Sequence, residues 1–300
     1  MSKPKPIHAA IAAAFLTVGC ASQGNVDAPV AKTDRPAMWR IADADTNIYL
    51  FGTFHLLPKD HVWRTAAFDQ ALAASSELVM EIADVGDQQA AGAAMMKLGV
   101  SPGLPPLIER VPAEKRAALQ AMINESGMPS AVLDRLETWA AALALTGVTF
   151  KRLGISGEEG VERALSMNVK ASGKPVRGLE TVEQQLGYFD TLSEEAQRTF
   201  LEGVLEAPDD VRKEFQKMLD AWSRGDEAGI AASFDEEAKL SPELREALLS
   251  ARNRRWAEWL DARLDQPGTV FVAVGAGHLA GKDSVQTVLK ERGIQAVRIQ

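Results

Sequence analysis

An apolar run that ends in glycine and then a histidine occurs twice in this chain. Asn47-Ile48-Tyr49-Leu50-Phe51 leads into Gly52-Thr53-Phe54-His55, and Val270-Phe271-Val272-Ala273-Val274 leads into Gly275-Ala276-Gly277-His278. Short runs rich in β-branched and aromatic residues predict buried strands, and the glycines predict a sharp turn at each carboxyl end. Two more short runs, Glu77–Ile82 and Val176–Glu180, carry Glu81 and Glu180 at their carboxyl ends. An unpaired buried carboxylate is costly, so each of these acids calls for a partner. Met38–Ala42 pairs with the first histidine strand as a hairpin, and Gln295–Ile299 reads as a last strand.

Between the strands the period lengthens to that of a helix. Phe68, Ala71 and Leu72 mark a helix over about Thr65 to Ser75. From Ala90 to Lys151 the pattern is helical, with Leu133, Leu136, Trp139 or Ala140, and Leu143 read as one stripe facing a core. Gly154 to Gly160 is a loop; a helix then runs from Gly160 through Leu165 until Gly173-Lys174-Pro175 breaks it. Val182 to Leu264 gives helical hairpins, with stripes through Phe200 and Val204, Phe215 and Trp222, and Leu244 and Ala251; Ser241-Pro242-Glu243 is a helix start. A helix before Glu77–Ile82 predicts a right-handed βαβ unit with a parallel partner. The fold class is therefore α/β, with a central mixed, largely parallel sheet, flanking helices, and a large helical insertion over about residues 90–264. Such an insertion would cap the sheet edge, as the wall of a pocket or as a partner-binding surface.

The first residues read differently. Met1 to His8 carries Lys3 and Lys5 and no acid, the apolar run Ala9 to Val18 follows, and Leu16-Thr17-Val18-Gly19-Cys20 ends it. This predicts an export signal over residues 1–19, too short to span a membrane, with Cys20 as a lipidated anchor. Ala21 after the cysteine resembles a bacterial outer-membrane sorting address, which places the protein facing the periplasm; a soluble periplasmic or secreted form is the fallback. Residues 20–37 then form a flexible tether and residues 38–300 the domain. Cys20 is the only cysteine, so the domain has no disulfide and no thiolate ligand.

The whole chain carries eight more acids than basic residues, and removing the signal raises that excess to ten. With no sustained basic stripe, nucleic acid is excluded as a partner. Arg252-Asn253-Arg254-Arg255 is the one basic cluster, within a helical pattern. The expected partners are a peptide or small-molecule substrate, with membrane contact through the lipid alone; oligomeric state has no sequence signal.

Ligands of open α/β sheets collect at the carboxyl ends of the strands. His55, His278, Glu81 and Glu180 would meet there as a nitrogen and oxygen donor set suited to zinc, manganese, cobalt or iron, with a position open for water. His55, His278 and Glu81 are the nominated ligands, and Glu180 is a ligand or the general base. Arg252 is placed to pair with an acid or to hold a substrate carboxylate, Asn253 to support it, and Thr53 to orient a ligand. A metal would make hydroxide available near neutral pH. Two other uses stay open: binding of haem or a metal without turnover, and acid-base hydrolysis by the same residues without metal. A histidine after a strand also serves simply as a hydrogen-bonded turn residue. Gly275-Ala276-Gly277 lacks the dinucleotide pattern, and no Gly-x-Ser-x-Gly elbow is present.

Six motifs in order carry a family resemblance. They are Tyr49 through Pro58, Val79-Met80-Glu81, Gly160-Val161-Glu162, Gly178-Leu179-Glu180-Thr181 with Gln184 or Gln185, Arg252-Asn253, and Val272 through Gly281. Together they resemble the TraB/GumN family, which includes the Tiki-type membrane proteases, from about Trp39 to Ile299. The chain is similar, more distantly, to the erythromycin esterase and ChaN group. The resemblance implies a divalent-metal-dependent protease needing His55, His278 and Glu81. Where that family has Gly-Val-Asp this chain has Gly-Val-Glu, so Glu162 keeps the charge with a longer reach.

Overall fold

The computed structural model describes residues 34–155, 160–238 and 241–300. The expected export signal, Cys20 and the tether through residue 33 lie outside the described residues, as does most of the 154–160 loop. The chain starts with β1 (Met38–Ala42), β2 (Thr46–Thr53), α1 (Ala66–Ala74) and β3 (Glu77–Ile82). Helices α2 (Gln88–Leu98), α3 (Arg116–Ser126), α4 (Ser130–Leu133), α5 (Thr138–Leu153) and α6 (Val161–Ala171) precede β4 (Val176–Glu180). Then come α7 (Val182–Asp190), α8 (Glu194–Val204), α9 (Pro208–Ser223), α10 (Glu227–Ala238), α11 (Pro242–Arg245) and α12 (Ala251–Leu264). Strand β5 (Gly268–Gly275), α13 (Val285–Glu291) and β6 (Val297–Arg298) close the chain.

The six strands form one mixed sheet in the order β4-β3-β5-β2-β1-β6. β4, β3, β5 and β2 run parallel, while β1 and β6 add antiparallel pairs at one edge. β2 and β3 are not neighbours, because β5 inserts between them and is the parallel partner of both. The near-continuous apolar character of β3 and β5 follows from helices covering both sheet faces. Alternation then sorts the side chains. Leu78, Met80, Phe271 and Ala273 pack on the larger core with Phe51 and Phe68, whereas Val79, Val270, Val272 and Val274 pack under Trp256 and Leu260 of α12 and Leu289 of α13. Glu81 shares the parity of Val79, so it faces α12.

The helical material of residues 90–264 lies on either side of β4, the strand expected at Val176–Glu180, which pairs with β3. Two sequence expectations change. The stripe from Leu133 to Leu143 is not one helix: Leu136 bridges to Val100, Glu137 is extended, and α5 begins only at Thr138. The expected tether is already folded at its end. Ala37 is buried, the Asp34 carboxylate pairs with His61, and the Arg35 amide donates to the Ser223 carbonyl. Elsewhere the local rules hold, as at α1, where Thr65 caps the amino end, and at α7, where Thr181 and Gln184 form a reciprocal capping box. Among the described residues no helix is long and apolar enough to cross a membrane.

Candidate functional site

In the parallel register of β2 and β5, Gly52 stands beside Val274 and Thr53 beside Gly275. The two histidine motifs therefore end at the same level of the sheet, and Glu81 on β3 and Glu180 on β4 end beside them. Gly275 lies at the centre. A Cβ added there would stand 3.1 Å from Glu81 Oε1, 3.4 Å from His55 Nε2 and 3.6 Å from His278 Cδ2.

Arg252, on the first turn of α12, organises the acids. Its Nη2 donates to Glu81 Oε2 at 2.5 Å and to Glu180 Oε2 at 2.8 Å, and its Nε donates to both oxygens of Glu180 at 3.1 Å. Its Nη1 donates to the Leu248 carbonyl and lies 3.1 Å from His278 Nε2. The Gly275 amide donates to Glu81 Oε1 at 2.7 Å. Burial alone would raise the Glu81 carboxyl, but Arg252, the two histidines and this amide bring it down to about 2. Tyr188, Trp256 and Gln185 complete the set around Glu180, and Gln185 also donates to Glu81. Sequence reading named Gln185 only through a motif and did not name Tyr188 or Trp256. Their spacing was a usable signal, since Tyr188 lies three residues after Gln185 and Trp256 four after Arg252 on helix faces.

The two imidazoles are held alike but charged differently. His278 Nδ1 is 2.6 Å from Asn253 Oδ1, while the Asn253 amide group donates to the Asp283 carbonyl, which fixes its orientation. Nδ1 of His278 therefore carries the proton and Nε2 offers its lone pair to Arg252. Burial and the neighbouring guanidinium push its pKa down to about 3, so it is neutral. His55 Nδ1 is 2.7 Å from Glu162 Oε1, on the first turn of α6, whose Val161 amide is tied to the Phe54 carbonyl. Burial opposes its charge, but Glu162, then Glu81, overcome that and lift it to about 9. Asn253 thus supports His278 rather than Arg252, and Glu162 is the partner of His55.

Helices α9 and α10 cover this end of the sheet. The Trp222 indole donates to the Gly52 carbonyl at 2.8 Å. Met218, Ile230 and Phe234 then wall a pocket whose floor is Thr53, His55 and the Gly275–His278 turn. Phe234 lies so close over Gly277 that a Cβ there would come within 2.4 Å of its ring. His55 Nε2 and Thr53 Oγ1 are both buried in this pocket without a hydrogen-bond partner.

Residues 37–298 match the TraB/PrgY/gumN family. The chain belongs to that family. It is 25% identical over 255 residues to YbaP of Escherichia coli, named as an uncharacterized protein, covering 85% of this chain and 92% of that one. An uncharacterized protein of Treponema pallidum is 21% identical over 189 residues, 59% of this chain and 56% of its own length. No solved structure gives a significant match. The family assignment thus agrees with the motif resemblance, and the relatives' names carry no activity.

The nominated ligands do not fit a divalent metal as they are arranged. Glu81 is engaged by Arg252, Gln185 and the Gly275 amide, Glu180 by Arg252, Tyr188 and Trp256, and the free lone pair of His278 faces a guanidinium. Among the described residues no three His, Cys, Asp or Glu side chains are grouped to hold a metal ion. Arg252 stands where the metal's charge would be needed.

Proposed function

We propose that the pocket is a hydrolytic site in which His55 moves the proton. The observation that carries this reading is the pair of buried, unpartnered polar atoms, His55 Nε2 and Thr53 Oγ1, in one pocket. Buried polar groups without partners are rare and mark places where something else binds. The space beside them admits about one water molecule. With Nδ1 engaged by Glu162, the Nε2 of neutral His55 is the nitrogen left to take a proton from that water as it attacks a carbonyl carbon. The same nitrogen then returns the proton to the leaving group. Arg252 lies behind His278 and not in the pocket, so it acts through a fixed field held in place by Glu81 and Glu180. A peptide or ester fits the reaction. Export and acylation at Cys20 would put it at the periplasmic face of an outer membrane, a reading that rests on sequence alone.

A metal-bound form is the second reading, and one observation favours it. Both imidazoles are held at Nδ1 by an oxygen, as ligating histidines commonly are, and both lie against Gly275. It requires Arg252 to give up its present contacts. The test is hydrolysis of an ester and peptide panel by the purified protein, with and without chelator, beside His55→Ala. Chelator-resistant cleavage that falls at least about 100-fold in His55→Ala supports proton transfer by His55. Cleavage abolished by chelator and restored by manganese, cobalt or zinc moves the assignment to the metal. No cleavage of any substrate, by a protein that still binds ligands in this pocket, removes the hydrolytic reading.

A further inference from the structure

We infer that Asp283 is a positioning residue for His278, and that Arg245 makes its hold depend on where the cap helix α10 lies. The inference deepens the hydrolytic reading and rests on it for the reaction served, though not for the positioning itself. Its first support is a change of helical period. Between α11 and α12, Glu246–Ser250 forms a π-helical turn, in which the Ala251 amide donates to the Glu246 carbonyl, five residues back. Such turns are rare and concentrate at functional sites. Residues five apart stand roughly 140° apart around a regular α-helix, and the wider turn brings them to one side. Arg245 and Ser250 are so placed. The Arg245 Nε donates to Asp283 Oδ2 at 2.9 Å, and the Ser250 hydroxyl donates to the same oxygen at 3.1 Å.

Its second support is what Asp283 does in turn. Asn253, three residues after Ser250, donates its amide group to the Asp283 main-chain carbonyl at 2.7 Å. Asp283 is thus gripped at both side chain and backbone from one helix face. The bond to its carbonyl turns the single side-chain oxygen of Asn253 onto His278 Nδ1, at 2.6 Å. With Asp283 displaced, Asn253 is free to flip and present its amide group, and the imidazole loses the acceptor that sets its tautomer. Arg252 Nη1, 3.1 Å from His278 Nε2, then no longer meets a lone pair.

Its third support is the way α10 lies along the same segment. Ala231, Phe234 and Asp235 are three and four residues apart, on one face of that helix. Phe234 covers Gly277, and Ala231 abuts Gly281, where an added Cβ would stand 3.1 Å from its methyl. The Asp235 carboxylate lies 2.9 Å from Arg245 Nη1. Arg245 therefore bridges α10 and Asp283. The pocket has room for about one water molecule, so a larger ligand must move its α10 wall, and that movement pulls on the residue that fixes Asn253.

The test reads the His278 ring directly, by NMR of the full-length protein labelled with nitrogen-15 at histidine, with His278→Gln to assign the signal. The native ring is expected to carry a protected proton on Nδ1 and none on Nε2. Asp283→Ala and Arg245→Ala should speed exchange of that proton at least about tenfold, through local opening of its support. Asp283→Asn, which keeps an acceptor oxygen for both donors, should recover most of the protection. Asp235→Ala, at an exposed position, should give a smaller rise in exchange and covers the case in which the Asp283 variants do not fold. Asp261→Ala, which loses only a surface pair with Arg292, is the control and should leave the signal unchanged. A native ring protonated on Nε2 instead of Nδ1, or exchange unmoved by Asp283→Ala and Arg245→Ala, would overturn the inference. Exchange in Asp235→Ala no faster than in the control would overturn the link to α10. Faster exchange in the site variants of a protein that cleaves nothing would uphold the positioning while removing the hydrolytic reading. Cleavage by a protein whose His278 signal ignores every one of these variants would do the reverse.

Discussion

Arg252 Nη2 lies 2.5 Å from Glu81 Oε2 and 2.8 Å from Glu180 Oε2, so one buried cation is shared between two buried carboxylates. Removing one member of such a set leaves charge uncompensated, which costs about 3–5 kcal/mol where a buried pair is broken. Arg252→Ala should lose stability of that order in urea denaturation. Arg252→Lys should recover little of it, since one ammonium cannot reproduce the planar fork that reaches both acids. A triple variant, Arg252→Met with Glu81→Gln and Glu180→Gln, should be more stable than Arg252→Ala alone. Equal stability of Arg252→Lys and the native protein would contradict the charge argument.

Much of this arrangement was legible in the sequence, and the reason is the strand period. Glu81 interrupts an apolar run at a strand end, a position that requires a buried partner, and the parity it shares with Val79 turns it toward the helix bearing Arg252. The repeated Gly-x-x-His pattern placed His55 and His278 at equivalent ends, which the β2 and β5 register brings level. The charge state of each imidazole was not legible, because it depends on partners remote in sequence: Glu162 lies over 100 residues after His55. Nor was the cap's contact. Phe234 falls in a helix of weak amphipathic pattern, and only its approach to Gly277 shows where α10 sits.

The three shifted groups should shape stability against pH on both sides of about 6.5. Glu81 falls from an ordinary 4.5 to about 2 in the fold, so its contribution is present above 4.5 and lost as pH falls toward 2. His278 is held neutral, at about 3 instead of 6.5, so its contribution too is lost as pH falls from 6.5 toward 3. His55 has the opposite sign. Raised from 6.5 to about 9, it stabilises fully below 6.5 and loses that contribution as pH climbs through 9. Calorimetric melting from pH 3 to 10 should show a decline on each side, and His55→Gln should flatten the alkaline one. An alkaline decline unchanged in that variant would rule out His55 as its source.

Gly275→Ala should separate the site from the fold. Gly275 has a φ of −50°, open to any residue, so backbone strain is not the issue. Its added methyl would instead press on Glu81 Oε1 at 3.1 Å and His55 Nε2 at 3.4 Å. The variant should melt within a few degrees of the native protein yet lose at least about tenfold in kcat/KM, since small misplacements of reacting groups are costly. Native activity with native stability would show that the space around Gly275 is not used.

If neutral His55 is the base, its raised pKa fixes the shape of the pH profile. The neutral fraction grows tenfold per pH unit until about 9, so log kcat/KM should climb with unit slope through neutrality and level off above about 9. Glu162→Gln removes the strongest of the influences that together outweigh burial, so the imidazole should titrate lower and the plateau begin at lower pH. The plateau itself should then be lower, because a weaker base takes the proton less readily. Glu162→Asp keeps the charge but shortens the reach across the 2.7 Å contact, and its profile should fall between the two. A profile that declines through the same range would instead make the imidazolium the acting form, with His55 as proton donor. A profile indifferent to Glu162→Gln would remove Glu162 from the proton transfer and leave it as a structural partner of His55.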